Sequence, residues 1–199
     1  MYILFSDSVP SFFLQVLPIA LLAGFGFIFW RIQQQKKRGR TINFRHELLW
    51  FLFSCYVTGL VNLVLLPPNF WGDIWYGLLV TGFSDWSPPR LFCGNFQFVP
   101  TFVRYLTGEL EGPPGAWVST MIVCNFLMLI PMGLFLPTLF PKLCGRRMLL
   151  AAGIIPLGIE ILQPIVGRNF DVDDLITNSL GILAGWGAAK LFSVLRKHF

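Results

Sequence analysis

Five long runs of apolar residues, each about the length needed to cross a bilayer, constrain this chain more than any other feature of its 199 residues. About 20 mainly apolar residues span the hydrocarbon layer as a helix, and the stretches 11–30, 47–66, 117–140, 148–165 and 173–195 qualify. Composition agrees. Hydrophobic residues make up 55% and charged residues 13%, against roughly 25% charged in a soluble domain, and so small a chain cannot hide that much apolar surface from water. A membrane β-barrel is excluded, because short alternating strands do not give continuous apolar runs. The expected fold class is all-α: a polytopic transmembrane helix bundle of about five spans, one membrane domain over 1–199. The segment 67–116 holds Pro67-Pro68, Pro88-Pro89, Pro100 and Pro113-Pro114, which interrupt regular helix. Within it, 70–83 is too short to span. Its Trp71, Trp75 and Tyr76 suit the headgroup layer, so an irregular outer loop with a short interfacial or re-entrant segment is expected.

Orientation follows from the basic residues. Residues 1–10 contain Asp7 and no Lys or Arg, unlike the basic start of a signal peptide, so the first run is read as a retained helix. Arg31, Lys36, Lys37, Arg38, Arg40 and Arg45 follow it; Lys142, Arg146 and Arg147 lie between the third and fourth runs, and Lys190, Arg196 and Lys197 at the C-terminal end. Only Arg90, Arg104 and Arg168 fall on the other side. This bias puts the N-terminus outside and the C-terminus in the cytoplasm. The net charge of +5 is then a topology signal and a contact with anionic lipid heads, and no nucleic-acid partner is expected. Cys55, Cys93, Cys124 and Cys144 have no metal-ligand spacing and read as packing residues.

Polar side chains inside a span cost free energy unless a partner or a wet cavity receives them. The second run carries Asn62, the third Asn125, the fourth Glu160 and Gln163, and the fifth Asp174 and Asn178. At 1.5 Å per residue, Asn62, Asn125, Glu160 and Asn178 lie roughly 6, 12, 8 and 7 Å below the outer boundary. All four fall in the outer half of the bilayer. Asp174, Asn178, Gly181, Gly185 and Ala189 share one stripe of the fifth helix, and Gly181 to Gly185 is a small-xxx-small surface open to a close neighbour. Gly153, Pro156, Glu160 and Gln163 form a similar stripe on the fourth helix. Close packing of the fourth and fifth helices is expected to bring Glu160 towards Asp174 and Asn178.

The linker between those helices runs Gly167-Arg168-Asn169-Phe170-Asp171-Val172-Asp173-Asp174. Asp171 or Asp173 can cap the following helix, where the macrodipole favours negative charge, with Arg168 paired to an aspartate or to Glu160. Capping alone does not require an Arg, three Asp, a buried Glu, a Gln and two Asn at one depth.

The stretch 159–163 with 167–181 resembles the signature of the VanZ-like membrane proteins, supported by Asn125-Phe126, Pro131-Met132-Gly133 and Leu136-Pro137. A looser match lies in Arg90 and Asn95-Phe96-Gln97-Phe98-Val99-Pro100. The resemblance implies a multi-pass protein of a bacterial cell membrane linked to resistance to teicoplanin, a lipid-bearing glycopeptide antibiotic. The matching residues are Asn125, Glu160, Gln163, Arg168, Asp171, Asp173, Asp174 and Asn178. Three functions fit. In the first, an outward polar pocket of Asn62, Asn125, Glu160, Gln163, Arg168 and Asn178 binds a lipid headgroup, a lipid-linked cell-wall precursor or the lipoglycopeptide, without a cofactor. The second is an intramembrane enzyme on a lipid-linked phosphate, with Asp171, Asp173, Asp174 and Glu160 as catalytic candidates and the aspartates as candidate Mg²⁺ ligands. No His or Ser nucleophile accompanies them, since His46 and His198 are both cytoplasmic. The third is a lipid transporter or scramblase, which five helices without a detectable repeat fit poorly.

Overall fold

The computed structural model of the protein describes residues 9–67, 70–84, 90–110 and 115–198. Residues 1–8, with Asp7, and Pro68, Pro88, Pro89, Pro113 and Pro114 lie outside the described residues. The chain divides into two compact units, 1–90 and 91–199.

In the first unit, α1 (Val9–Lys37) and α2 (Phe44–Leu65) pair along their lengths. Asn43 starts α2 by accepting the Arg45 N–H at 3.1 Å, the bond an N-cap side chain supplies to an otherwise unsatisfied donor. A side-chain carbon at Gly24 would meet Cys55 Sγ and the Phe51 ring; a glycine is what lets α2 come that near. The rings of Phe25 and Phe51 meet alongside, with centroids 4.9 Å apart. The short α3 (Phe70–Tyr76) continues into a π-helical turn (Gly77–Thr81). The segment expected at the headgroups is tied to the two helices: Trp71 donates to Asn62 Oδ1 at 2.8 Å and Trp75 to the Gln15 carbonyl at 3.1 Å.

The second unit comprises β1 (Phe96–Gln97), α4 (Thr101–Leu106), α5 (Ala116–Leu139), α6 (Arg146–Leu162), a 3-10 turn (Gln163–Val166), β2 (Phe170–Asp171) and α7 (Val172–His198). Small residues decide its packing. A side-chain carbon on Gly181 would strike the Phe126 carbonyl, one on Gly185 the Ile130 carbonyl, and one on Gly133 the Ile182 carbonyl and the Trp186 nitrogen. The partners advance together along both helices, so α5 and α7 run parallel, backbone against backbone. The close neighbour that the small-residue stripe of α7 calls for is therefore α5, where Gly133 complements it. The core between them holds Leu129, Met132, Leu136 and Ile182. On α6 the buried face is Met148, Ala152, Pro156, Ile159 and Glu160, while Gly153, expected on that stripe, is exposed with nothing near it.

Among the described residues, four helical stretches are long and apolar enough to cross a membrane: Phe13–Lys37, Phe44–Leu65, Val118–Leu139 and Arg146–Val166. The fifth expected span forms as α7, but its apolar stretch is shortened by Asp173 and Asp174 at one end and Lys190 at the other. At 27 residues it is about 40 Å long, and it packs against α5 and α6.

Candidate functional site

The site grows from the end of α6. Pro164 has no N–H to continue the helix, and the chain tightens into the 3-10 turn, closed by the Gly167 and Arg168 N–H groups on the Pro164 and Gln163 carbonyls at 3.3 and 2.9 Å. Glu160, one turn earlier, is 0% exposed. Its Oε2 accepts the Asp171 N–H at 3.0 Å, while Oε1 has no hydrogen-bond partner among the described residues. Asp171 in turn caps α7, its Oδ1 accepting the Asp173 N–H at 2.9 Å, so of the two possible capping aspartates it is Asp171 that serves. Asp173 turns aside and accepts the Thr101 N–H at the start of α4 at 2.8 Å. Asp174 is hydrogen-bonded by Asn125 of α5. One turn on, Asn178 is 2% exposed, and its Oδ1 also lacks a partner among the described residues.

Electrostatics binds these groups together. The Arg168 guanidinium is lowered from its usual range by burial, opposed by the charges of Asp174 first and Glu160 second. Arg168 thus answers to two carboxyls, and Asp174 outranks Glu160. Burial raises the Asp171 carboxyl above the ordinary range, against the hydrogen bond from the Asp173 N–H.

The outer-loop stretch closes one side. The Phe92 N–H donates to the Ile165 carbonyl at 3.0 Å, the Asn95 N–H to Asn169 Oδ1 at 2.9 Å, and the Phe170 N–H to the Asn95 carbonyl at 2.8 Å. β1 and β2 then form a two-residue parallel ladder, Phe96 beside Phe170 and Gln97 beside Asp171. Gly94 lies flat against the Arg168 backbone, where any side-chain carbon would collide with it. Gln97 reaches Asp171 Oδ1 at 3.4 Å and Thr101 Oγ1 at 3.2 Å, and accepts from Arg104 at 3.2 Å. Next to the ladder, the rings of Phe96 and Phe98 stack on each other and on Phe170, with centroids 5.3 to 5.9 Å apart.

Of the residues singled out in the sequence, Asn125, Glu160, Arg168, Asp171 and Asp174 are joined by hydrogen bonds or shared charge. Asn178 follows Asp174 by one turn, Gln163 is buried at the end of α6, and Asp173 ties the loop to α7. Asn62 stands in the first unit with its side chain committed: it donates to the Thr58 carbonyl at 2.6 Å and accepts from Trp71. Among the described residues no group of three or more His, Cys, Asp or Glu is placed to hold a metal ion. The carboxylates proposed as metal ligands are engaged with backbone N–H groups and Asn125. Gly94, Thr101 and Arg104 carry no site signal in the sequence, and Gln97 only its place in the looser match over 95–100.

The class defined by fold and site is a helical membrane protein with a glutamate and an asparagine buried where α6 and α7 join. The chain is a member of the VanZ/LLP1 family, whose profile matches residues 4–193. Comparison with curated proteins and with solved structures returns no match.

Proposed function

We propose that the protein acts in glycopeptide resistance at the bacterial cell membrane, its α6–α7 cluster binding the hydrogen-bond-donating head of an amphiphile. A lipid headgroup, a lipid-linked cell-wall precursor and teicoplanin itself all carry such groups. The observation that carries this reading is the pair of buried acceptors, Glu160 Oε1 and Asn178 Oδ1, without donors among the described residues. Each unmet buried acceptor costs about 1–3 kcal/mol, a cost a binding site retains because a ligand's hydroxyl or ammonium relieves it. The exposed rings of Phe96, Phe98 and Phe102, next to the β1–β2 ladder, supply an apolar surface for the rest of such a molecule.

The test separates fold from function. Asn178→Leu removes one orphan acceptor and keeps the volume, so folded protein in the membrane is expected to be unchanged or more stable, since exchanging an unmet polar group for an apolar one of similar shape is neutral or better. Teicoplanin tolerance of the host is nevertheless expected to fall to that of cells lacking the protein. Retained tolerance with normal expression would leave Asn178 a packing residue and remove the basis of this reading.

The pocket is of use only if it opens outward. The twelve basic residues gathered on one side of the spans support an external N-terminus and a cytoplasmic C-terminus, and the parallel course of α5 and α7 is compatible with that arrangement. Single cysteines placed at 33–35 are expected to resist a membrane-impermeant maleimide in intact cells, while one at Glu109 reacts. The reverse pattern would invert the protein and with it the site.

A further inference from the structure

A recess lies in the other unit, far along the sequence from the cluster above. At the C-terminal end of α1 a cavity of about 190 Å³ is lined by Trp30, Arg31, Gln34, Gln35, Arg38 and Arg40. Two features build it. Glu47 of α2, only 5% exposed, holds Arg31 and Gln35 at 2.7 Å each, and the Arg31 guanidinium also rests 4.5 Å from the centre of the Trp50 ring. One wall is therefore fixed by α2. The other is made by the chain folding back: Gly39, at φ +62°, ends α1 with its N–H on the Lys36 carbonyl and the Arg40 N–H on the Gln35 carbonyl, both at 3.1 Å. That is the Schellman arrangement, which asks for glycine at the left-handed position. It brings Arg40 back over the last turn beside Arg38.

The charge is unbalanced. Glu47 offsets Arg31, but among the described residues no carboxylate pairs with Arg38 or Arg40. Two guanidiniums thus face a recess at the edge of a span, with an interfacial tryptophan, Trp30, exposed at its rim. The negative end of the helix dipole opposes an anion there, yet the carbonyls nearest the recess are already occupied by the Schellman bonds. Guanidiniums match phosphate oxygens in geometry as well as charge, and the glutamine amides add neutral donors.

We propose that this recess binds the phosphate of a net-negative headgroup, supplied by an anionic phospholipid of the leaflet at that end of α1. The probe is dioleoyl phosphatidylglycerol, titrated onto the detergent-purified protein and counted by native mass spectrometry, with phosphatidylcholine as the zwitterionic reference and inorganic phosphate as a competitor. One tightly held phosphatidylglycerol per chain is expected. Arg38→Gln with Arg40→Gln should weaken it about 30-fold, the effect of losing two charge-assisted contacts to one phosphate. Lys36→Gln with Lys37→Gln removes the same charge outside the recess and should change it less than about threefold, as general screening would. Displacement of the lipid by millimolar phosphate would keep the site but assign it to a free phosphate. Equal binding of phosphatidylcholine, or an equal loss in the lysine pair, would overturn it. Lys36 and Lys37 lie in the last turn of α1 and Arg38 and Arg40 just beyond it, all four exposed, so the apolar run of α1 stays intact.

Discussion

Gly133→Leu is expected to remove folded protein from the membrane almost completely, and even Gly133→Ala is expected to lower its melting temperature in detergent markedly. A side-chain carbon at Gly133 would occupy the space of the Ile182 carbonyl and the Trp186 nitrogen. These are backbone atoms of α7, which cannot rotate out of the way as a side chain would. Overpacking a filled core costs typically about 1–3 kcal/mol, and a leucine pressed against backbone belongs above that range because the helices must separate. Gly185→Leu should behave alike, since it would strike the Ile130 carbonyl. Gly187 is the internal reference: it lies on the same helix with nothing within 4 Å of its own added carbon, so Gly187→Leu should accumulate and melt like the parent. If Gly133→Ala and Gly187→Ala melt together, α5 and α7 do not meet on this face.

Arg168→Gln is expected to lower the amount of folded protein more than Glu160→Gln does, and the two together are expected to accumulate better than Arg168→Gln alone. Arg168 is the cation felt by both Asp174 and Glu160. Its loss leaves two neighbouring carboxyls without a countercharge, and stripping one partner from a buried charged group costs about 3–5 kcal/mol. Glu160→Gln is milder, because the amide oxygen can still accept the Asp171 N–H that Oε2 accepts now, and Arg168 keeps Asp174. Function is expected to behave otherwise: Glu160→Gln replaces an acceptor by a donor at the unmet position, so teicoplanin tolerance should disappear while the protein persists. A double-mutant cycle on expression and tolerance measures the coupling. Strictly additive losses of expression would show that Arg168 and Glu160 serve separate structures.

The spans were legible because the bilayer imposes length and apolarity directly on the sequence. Their ends were less so: α1 continues to Lys37 and α2 begins at Phe44, since helical hydrogen bonds persist past the last apolar residue. Partner choice was less visible still. The spacing of Gly181 and Gly185 announces a close neighbour but does not name it, and only Gly133, nearly 50 residues earlier in sequence, identifies α5. Glu47 opens the second run with no role marked by its neighbours, yet a helical hairpin sets it beside Arg31 and buries it. A cap at Asp171 or Asp173 followed from their place before a helix, but only the fold selects Asp171. The role of Gly94 had no local signal, because it depends on backbone passing beneath it from 74 residues away in neighbouring pairings. Two-residue strands carry no periodicity at all.

The ladder between Phe96–Gln97 and Phe170–Asp171 also sets an order of events during synthesis. The 91–100 stretch leaves the ribosome before α5 and α6, but the backbone groups that pair with it arrive only after both. Until then its N–H and C=O groups have nothing of this chain to bond, and contacts this distant in sequence are the slowest to form. The polar cluster is accordingly the last part of the protein to be finished, after the long apolar helices are already in the bilayer. A nascent chain that stalls before Asp171 would hold correctly inserted helices and an unstitched loop.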